Sequence, residues 1–170
     1  MVERYTVIDK RPIGFAGYFK TDDLFKVLRR FFKERGYFPL ERRNLEEVYE
    51  HGRQVEIELR PFKQISDYLK QEMVLRIKLS NLKEKTITLD GVKRKMMHGK
   101  VSFVVDAVIV SDLKSKWEGT GWLYFLRILN DKFIRKDWVS RVKDAVAKDC
   151  NDMLDEVRSY LNMIKFKIDR

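Results

Sequence analysis

Cysteine occurs once in this sequence, at Cys150, proline three times, and histidine twice, at His51 and His98. A lone cysteine cannot close an internal disulfide, so no oxidising compartment is required. Two histidines and one cysteine are too few for a metal site built from several such ligands, and no spaced aspartate cluster of the calcium-loop kind is present. No window approaches about 18 consecutive apolar residues, which excludes a membrane-spanning helix. Met1-Val2-Glu3-Arg4-Tyr5 lacks the apolar run of a signal peptide, and a cytoplasmic location is expected. Glutamine and asparagine are scarce beside the charged residues, a profile that points to a source growing in the heat, where ion-pair networks cost less to desolvate.

Signatures of chemistry are missing as well. There is no Gly-x-Ser-x-Gly elbow and no Walker loop. Gly119-Thr120-Gly121 opens like a dinucleotide fingerprint, but Tyr124 stands where the third glycine belongs, and the segment leads into a strand. No cofactor is expected. Cys150 lies beside Asp149 and Asp152, an acidic setting that disfavours the thiolate and suits a structural cysteine better than a nucleophile.

What is present is enough for one well-filled domain. The 170 residues are 44 % hydrophobic, with 11 Phe, 7 Tyr and 3 Trp, so most of the apolar surface can be buried without staples. Charged residues reach 36 %, and 36 Lys and Arg against 26 Asp and Glu leave a net charge of +10. That excess favours anionic partners.

Periodicity divides the chain. Residues 4–19 read as extended, interrupted by Pro12. Thr21-Asp22-Asp23 starts a helix over Asp22–Arg35, with Thr21 as the expected cap and two acids at the positive end of the dipole. Leu24, Leu28 and Phe31 share its face with Phe25 and Phe32, and Gly36 stops it. Leu45–Glu50, the turn His51-Gly52, and the alternation of Val55, Ile57 and Leu59 give two strands. Met73, Leu75, Ile77 and Leu79 alternate with polar residues in a third. Ile87 and Leu89 lead into Asp90-Gly91, a two-residue hairpin signal. Val101–Val110 and Lys116–Ile128 complete the strands. From Asp137 the period becomes helical, and Val139, Val142, Val146, Met153, Val157, Tyr160 and Ile164 share one face of a helix over Asp137–Ile164. The predicted class is α+β, with a curved, mainly antiparallel sheet gripping one long carboxy-terminal helix in a single domain, 1–170.

That element order, from Tyr5 through the strands to Asp137–Ile164, resembles the helix-grip superfamily of START lipid-transfer domains, polyketide cyclases and plant pathogenesis-related proteins. The resemblance rests on order alone, with no motif matched residue by residue. It implies a second short helix, which Gly36–Arg43 would supply, and a cavity between sheet and terminal helix that holds an apolar ligand.

Three functions remain open. The first is a non-catalytic binding protein whose pocket takes a hydrophobic or amphipathic small molecule. Asp106, a carboxylate in the apolar run of Val104, Val108 and Val110, must find a donor, meet water or be neutral. It is a candidate polar anchor, with Arg127 as a possible partner and Trp122 and Tyr124 as candidate lining residues. The bland alternative is a structural ion pair at Asp106 and aromatic packing at the other two. The second function is binding of nucleic acid or an acidic partner through the basic hairpin 82–100, where Lys93, Arg94, Lys95 and Lys100 join Lys83 and Lys85. The third is a cyclase or hydrolase using Asp106 and Tyr124 as acid and base. Oligomeric state is left open.

Overall fold

The computed structural model describes residues 3–50, 52–66, 69–89, 91–111 and 135–168. β1 (Glu3–Phe19) leads into α1 (Thr21–Glu34), followed by β2 (Glu41–Tyr49), β3 (Gly52–Leu59), β4 (Phe62–Ser66), β5 (Leu69–Leu89), β6 (Val92–Ser111) and the helix α2 (Arg135–Ile168). Every pairing is antiparallel, and the curved sheet runs β1-β6-β5-β3-β2, with β4 added to the start of β5. The arrangement is the expected α+β one and is compatible with a helix-grip fold. The expected strand Lys116–Ile128, with Trp117, Trp122, Tyr124, Phe125 and Arg127, lies outside the described residues. Among the described residues, no helix is long and apolar enough to cross a membrane.

Alternation decides which face is covered. Met73, Leu75, Ile77 and Leu79 of β5 and Val101, Phe103, Val105, Ala107 and Ile109 of β6 are buried on one side. Val142, Val146, Cys150, Met153, Val157, Leu161 and Ile164 form the matching stripe of α2, at steps of three and four. α1 adds Leu24, Leu28, Phe31 and Phe32 to the same core. α2 has 34 residues, or about 51 Å at 1.5 Å each. The opposite face of the central strands is mixed: it bears Val74, Val104, Val108 and Val110 beside charged residues, and carries ion pairs such as Lys78 to Glu56 at 2.8 Å.

Two details of α1 correct the sequence reading. Thr21 does not cap the helix; it is the first helical residue, and its buried hydroxyl has no partner among the described residues. Lys20 takes the cap position instead. Its carbonyl accepts from the Leu24 N–H at 3.0 Å and from the Tyr160 hydroxyl of α2 at 3.1 Å. No side chain caps the first-turn N–H groups; the Tyr160 contact instead ties the helix start to α2, and burial pushes the Tyr160 phenol up to about 12. At the other end Gly36, with φ 73°, stops the helix as expected, and the Tyr37 N–H reaches back to the Phe32 carbonyl at 2.8 Å. The helix-grip resemblance asks for a second helix next. Instead residues 37–40 run extended, with Phe38 bridged to Phe62.

β5 and β6 are far longer than their apolar cores require, because a bulge lets the hairpin leave the sheet. Between Ser80 and Lys83 the register shifts, so Asn81 and Leu82 together oppose Gly99. Asn81 takes a left-handed φ of 55°. Glycines flank the bulge on both sides. A Cβ on Gly99 would lie 2.8 Å from the Ser80 carbonyl oxygen, and one on Gly52 of β3 would lie 3.0 Å from the Asn81 carbonyl carbon. Gly52 also holds φ 140°. Gly17 of β1 pairs with Gly99, so glycines of β1, β6 and β3 form a crease around the Asn81–Leu82 bulge of β5. Beyond it, residues 83–88 and 91–95 stand out as a two-stranded arm, nearly all exposed.

Candidate functional site

Strand pairing sorts the arm's charges into two sides. Lys83 lies opposite His98, Lys85 opposite Met96 and Ile87 opposite Arg94. Lys83, Lys85, Arg94 and Lys100 therefore alternate onto one side of the ribbon, and all four are exposed. Among the described residues no carboxylate of β5 or β6 shares that side of the arm. Glu84, Lys93 and Lys95 take the other side, where Lys95 and Glu84 pair at 3.0 Å. Tyr18 of β1, opposite His98, lies against its ring with centroids 4.6 Å apart and the planes tilted by 57°. Both rings are half-buried. Four cations thus share one side of the ribbon with an aromatic pair.

A second concavity opens between sheet and terminal helix. It encloses about 370 Å³ among Glu34 and Arg35 at the end of α1, Lys63 and Ile65 of β4, Gln71 of β5, and Arg141, Val142, Ala145 and Asp149 of α2. Its floor is a buried polar chain. Gln71 Nε2 donates to the Tyr37 hydroxyl at 2.7 Å, which donates to Asp149 Oδ2 at 3.0 Å. Arg35 closes the chain by donating to Asp149 Oδ1 at 2.8 Å and to Asp152 Oδ2 at 2.7 Å. Burial, reinforced by the Asp149 charge, raises the Tyr37 phenol above its usual range. Tyr37 therefore serves as a neutral relay, and the two aspartates share one guanidinium instead of repelling across the helix.

Asp106 lies elsewhere. It shares the sheet face away from α2 with Val104 and Ser102, and it is 9 % exposed. Oδ2 accepts from Arg76 Nη1 at 2.6 Å, and Oδ1 accepts from the Lys10 N–H at 2.7 Å. Lys10, at φ 43°, sits in a register shift of β1 between Ile8 and Arg11, so the carboxylate satisfies a backbone donor that the bulge frees from the ladder. Asp106 does not line the cleft. Its described partner is Arg76, whereas Arg127, Trp122 and Tyr124 fall outside the described residues.

Cys150 is fully buried in the α2 stripe, and burial pushes its thiol up to about 11. A thiol reagent at neutral or mildly alkaline pH is expected to leave native protein unlabelled and to label it fully in denaturant. Rapid labelling without denaturant would contradict the packing of α2. Among the described residues no group of three His, Cys, Asp or Glu side chains gathers as a metal site would require. No protein-family model matches the sequence, and no curated protein matches it either.

Neither constellation was readable in full from the chain. The cations of the arm were, because a run of lysines is local. Tyr18 was not, since it arrives from a strand about 80 residues away. The Arg35–Tyr37–Gln71–Asp149 chain draws on three separate segments and has no sequence signal beyond the acidic neighbours of Cys150.

Proposed function

We propose that this chain is a non-catalytic binding protein that takes single-stranded nucleic acid on the cationic side of the β5–β6 arm. The observation that carries this reading is the set Lys83, Lys85, Arg94 and Lys100, exposed on the side of the ribbon that bears the tilted Tyr18–His98 pair. Phosphates pay out condensed counterions when they meet such a set, and an aromatic pair gives unstacked bases a sequence-tolerant platform. The net charge of +10 adds a long-range pull in the same direction.

Fluorescence anisotropy with a short single-stranded oligonucleotide tests it. Four phosphate contacts at about 0.7 each give an expected slope of log K against log salt of about −3. The triple variant Lys83→Glu, Lys85→Glu, Arg94→Glu should weaken binding by roughly a hundredfold at moderate salt and flatten the slope towards about −1. Lys93→Glu with Lys95→Glu, on the other side of the ribbon, should do less. No binding at low salt, or equal losses from the two sides, sinks the assignment.

The cleft favours a second reading, an amphipathic small molecule bound between sheet and terminal helix. Ile65, Val142 and Ala145 offer apolar contact there, while Lys63 and Arg141 line the same cleft and suit a carboxylate or similar headgroup. Native mass spectrometry of protein purified from its source, and of protein incubated with long-chain carboxylates, is expected to find a bound mass. Finding only the bare chain in both samples would remove this reading.

A further inference from the structure

β2 is an edge strand. Among the described residues it pairs with β3 alone, and all nine of its residues are exposed. Exposed edges are usually guarded by charges that discourage pairing, and β2 carries Glu41, Arg42, Arg43, Glu46 and Glu47. Yet it also shows Leu45, Val48 and Tyr49 to solvent, Val48 with 79 % of its surface free. A guarded edge has no need of three such side chains.

The sign pattern of the charges separates a guard from a lock. When an antiparallel strand pairs with a copy of itself in a continuous sheet, the two-fold axis stands perpendicular to the sheet, and directly opposed residues share a face. Only registers whose opposed residue numbers sum to an even value satisfy this. In the register centred on Leu45, Leu45 meets Leu45 of the copy, Arg43 meets Glu47 on both sides of it, and Asn44 meets Glu46. The next register one way opposes Glu41 to Glu47, and the next the other way opposes Glu46 to Glu46. Each neighbour therefore sets two carboxylates face to face, whereas the Leu45 register opposes no like charges. The segment Arg43–Tyr49 is also the regular part of β2, since its one register shift against β3 falls between Glu41 and Arg43.

We propose that the chain forms a two-fold dimer by antiparallel pairing of β2 with β2 of a second copy, in the register centred on Leu45. Two flanking Arg43–Glu47 pairs select that register; in the Glu41–Glu47 register two Arg42–Glu46 pairs offset the two repulsions, and the Glu46–Glu46 register opposes like charges with no ion pair inside β2. The joined sheet then runs without a break from β1 of one copy to β1 of the other. Both faces turned away from α2 lie on the same side of it.

The test uses the full chain. Sedimentation equilibrium from micromolar to sub-millimolar concentration is expected to show a monomer–dimer equilibrium. Arg43→Glu should weaken it by roughly tenfold or more, because two attractive pairs become two repulsive ones, and Arg43→Glu with Glu47→Arg should restore it. Circular dichroism checks that these exposed changes leave the fold intact. A second measurement fixes the register independently. Opposed Cα atoms lie about 4.5–5.5 Å apart, within disulfide reach, so Leu45→Cys should form a linked dimer on oxidation. Val48→Cys, facing Arg42 of the copy, should not, and Cys150 is buried and does not interfere. A monomer at every concentration overturns the proposal and leaves the charges as a guard. So does a dimer indifferent to Arg43→Glu, or cross-linking at position 48 without cross-linking at 45.

Discussion

Gly99→Val should lower stability by about 3 kcal/mol, the upper part of the range for forcing atoms into a filled space. The first added carbon would sit 2.8 Å from the Ser80 carbonyl oxygen and 3.2 Å from that of Asn81, both backbone atoms that cannot rotate away, and 2.9 Å from a Leu82 methyl. Relief requires β5 and β6 to separate at the bulge, which breaks ladder hydrogen bonds on both sides of the crease. For a chain of this size the loss corresponds to a fall of roughly 6–12 °C in Tm. The disturbance should also reach the arm, since the bulge sets its direction, so oligonucleotide affinity should fall although no cation has been touched. Thermal melting followed by circular dichroism decides the matter. A melt indistinguishable from that of the parent chain means that the glycine crease is not tightly packed.

Asp149→Ala should cost about 2–4 kcal/mol. The carboxylate takes the Tyr37 hydroxyl on one oxygen and the Arg35 guanidinium on the other, and its side chain is 12 % exposed. Its removal leaves a buried phenol with no acceptor, and that unmet donor dominates the loss. Arg35 suffers less, because Asp152 still holds it and part of its side chain meets water. Asp149→Asn keeps an acceptor for Tyr37 and should cost clearly less than the alanine variant. Arg35→Ala combined with Asp149→Ala should fall short of the sum of the single changes, the mark of residues sharing one network. Urea denaturation of the three single variants and the double variant gives these values. A loss of only a few tenths of a kcal/mol for Asp149→Ala would show that water replaces the carboxylate without penalty.

The fold was legible where its signals are short-ranged. Alternation at Met73–Leu79 and the stripe Val142, Val146, Met153, Val157 and Ile164 report directly which atoms leave water, and Asp90-Gly91 marks the hairpin between β5 and β6. Three features were not. β4, of five residues, has no independent pattern and exists because it pairs with β5. The true length of β5 was hidden because the bulge at Asn81–Leu82 shifts the alternation by one, so that Leu82 looks out of phase with Leu79 although both are buried, and Ile87 looks in phase although it lies on the other side. The cap of α1 was misread because the helix begins one residue early, at Thr21, which puts Lys20 at the cap position and leaves the Thr21 hydroxyl inside the first turn. The site followed the same rule. Local charge was visible, whereas Tyr18 against His98, and Tyr37 between Gln71 and Asp149, depend on contacts that only the closed sheet creates.

The inner side of the sheet is completed by the element that comes last among those described. During synthesis, β1 to β6 leave the ribosome well before α2, and for that interval Leu75, Ile77, Phe103 and Val105 have no lid. A nascent sheet with a bare apolar side and the open edge β2 is a natural client for chaperones. The cell must therefore manage this chain most carefully just before residues 135–168 emerge.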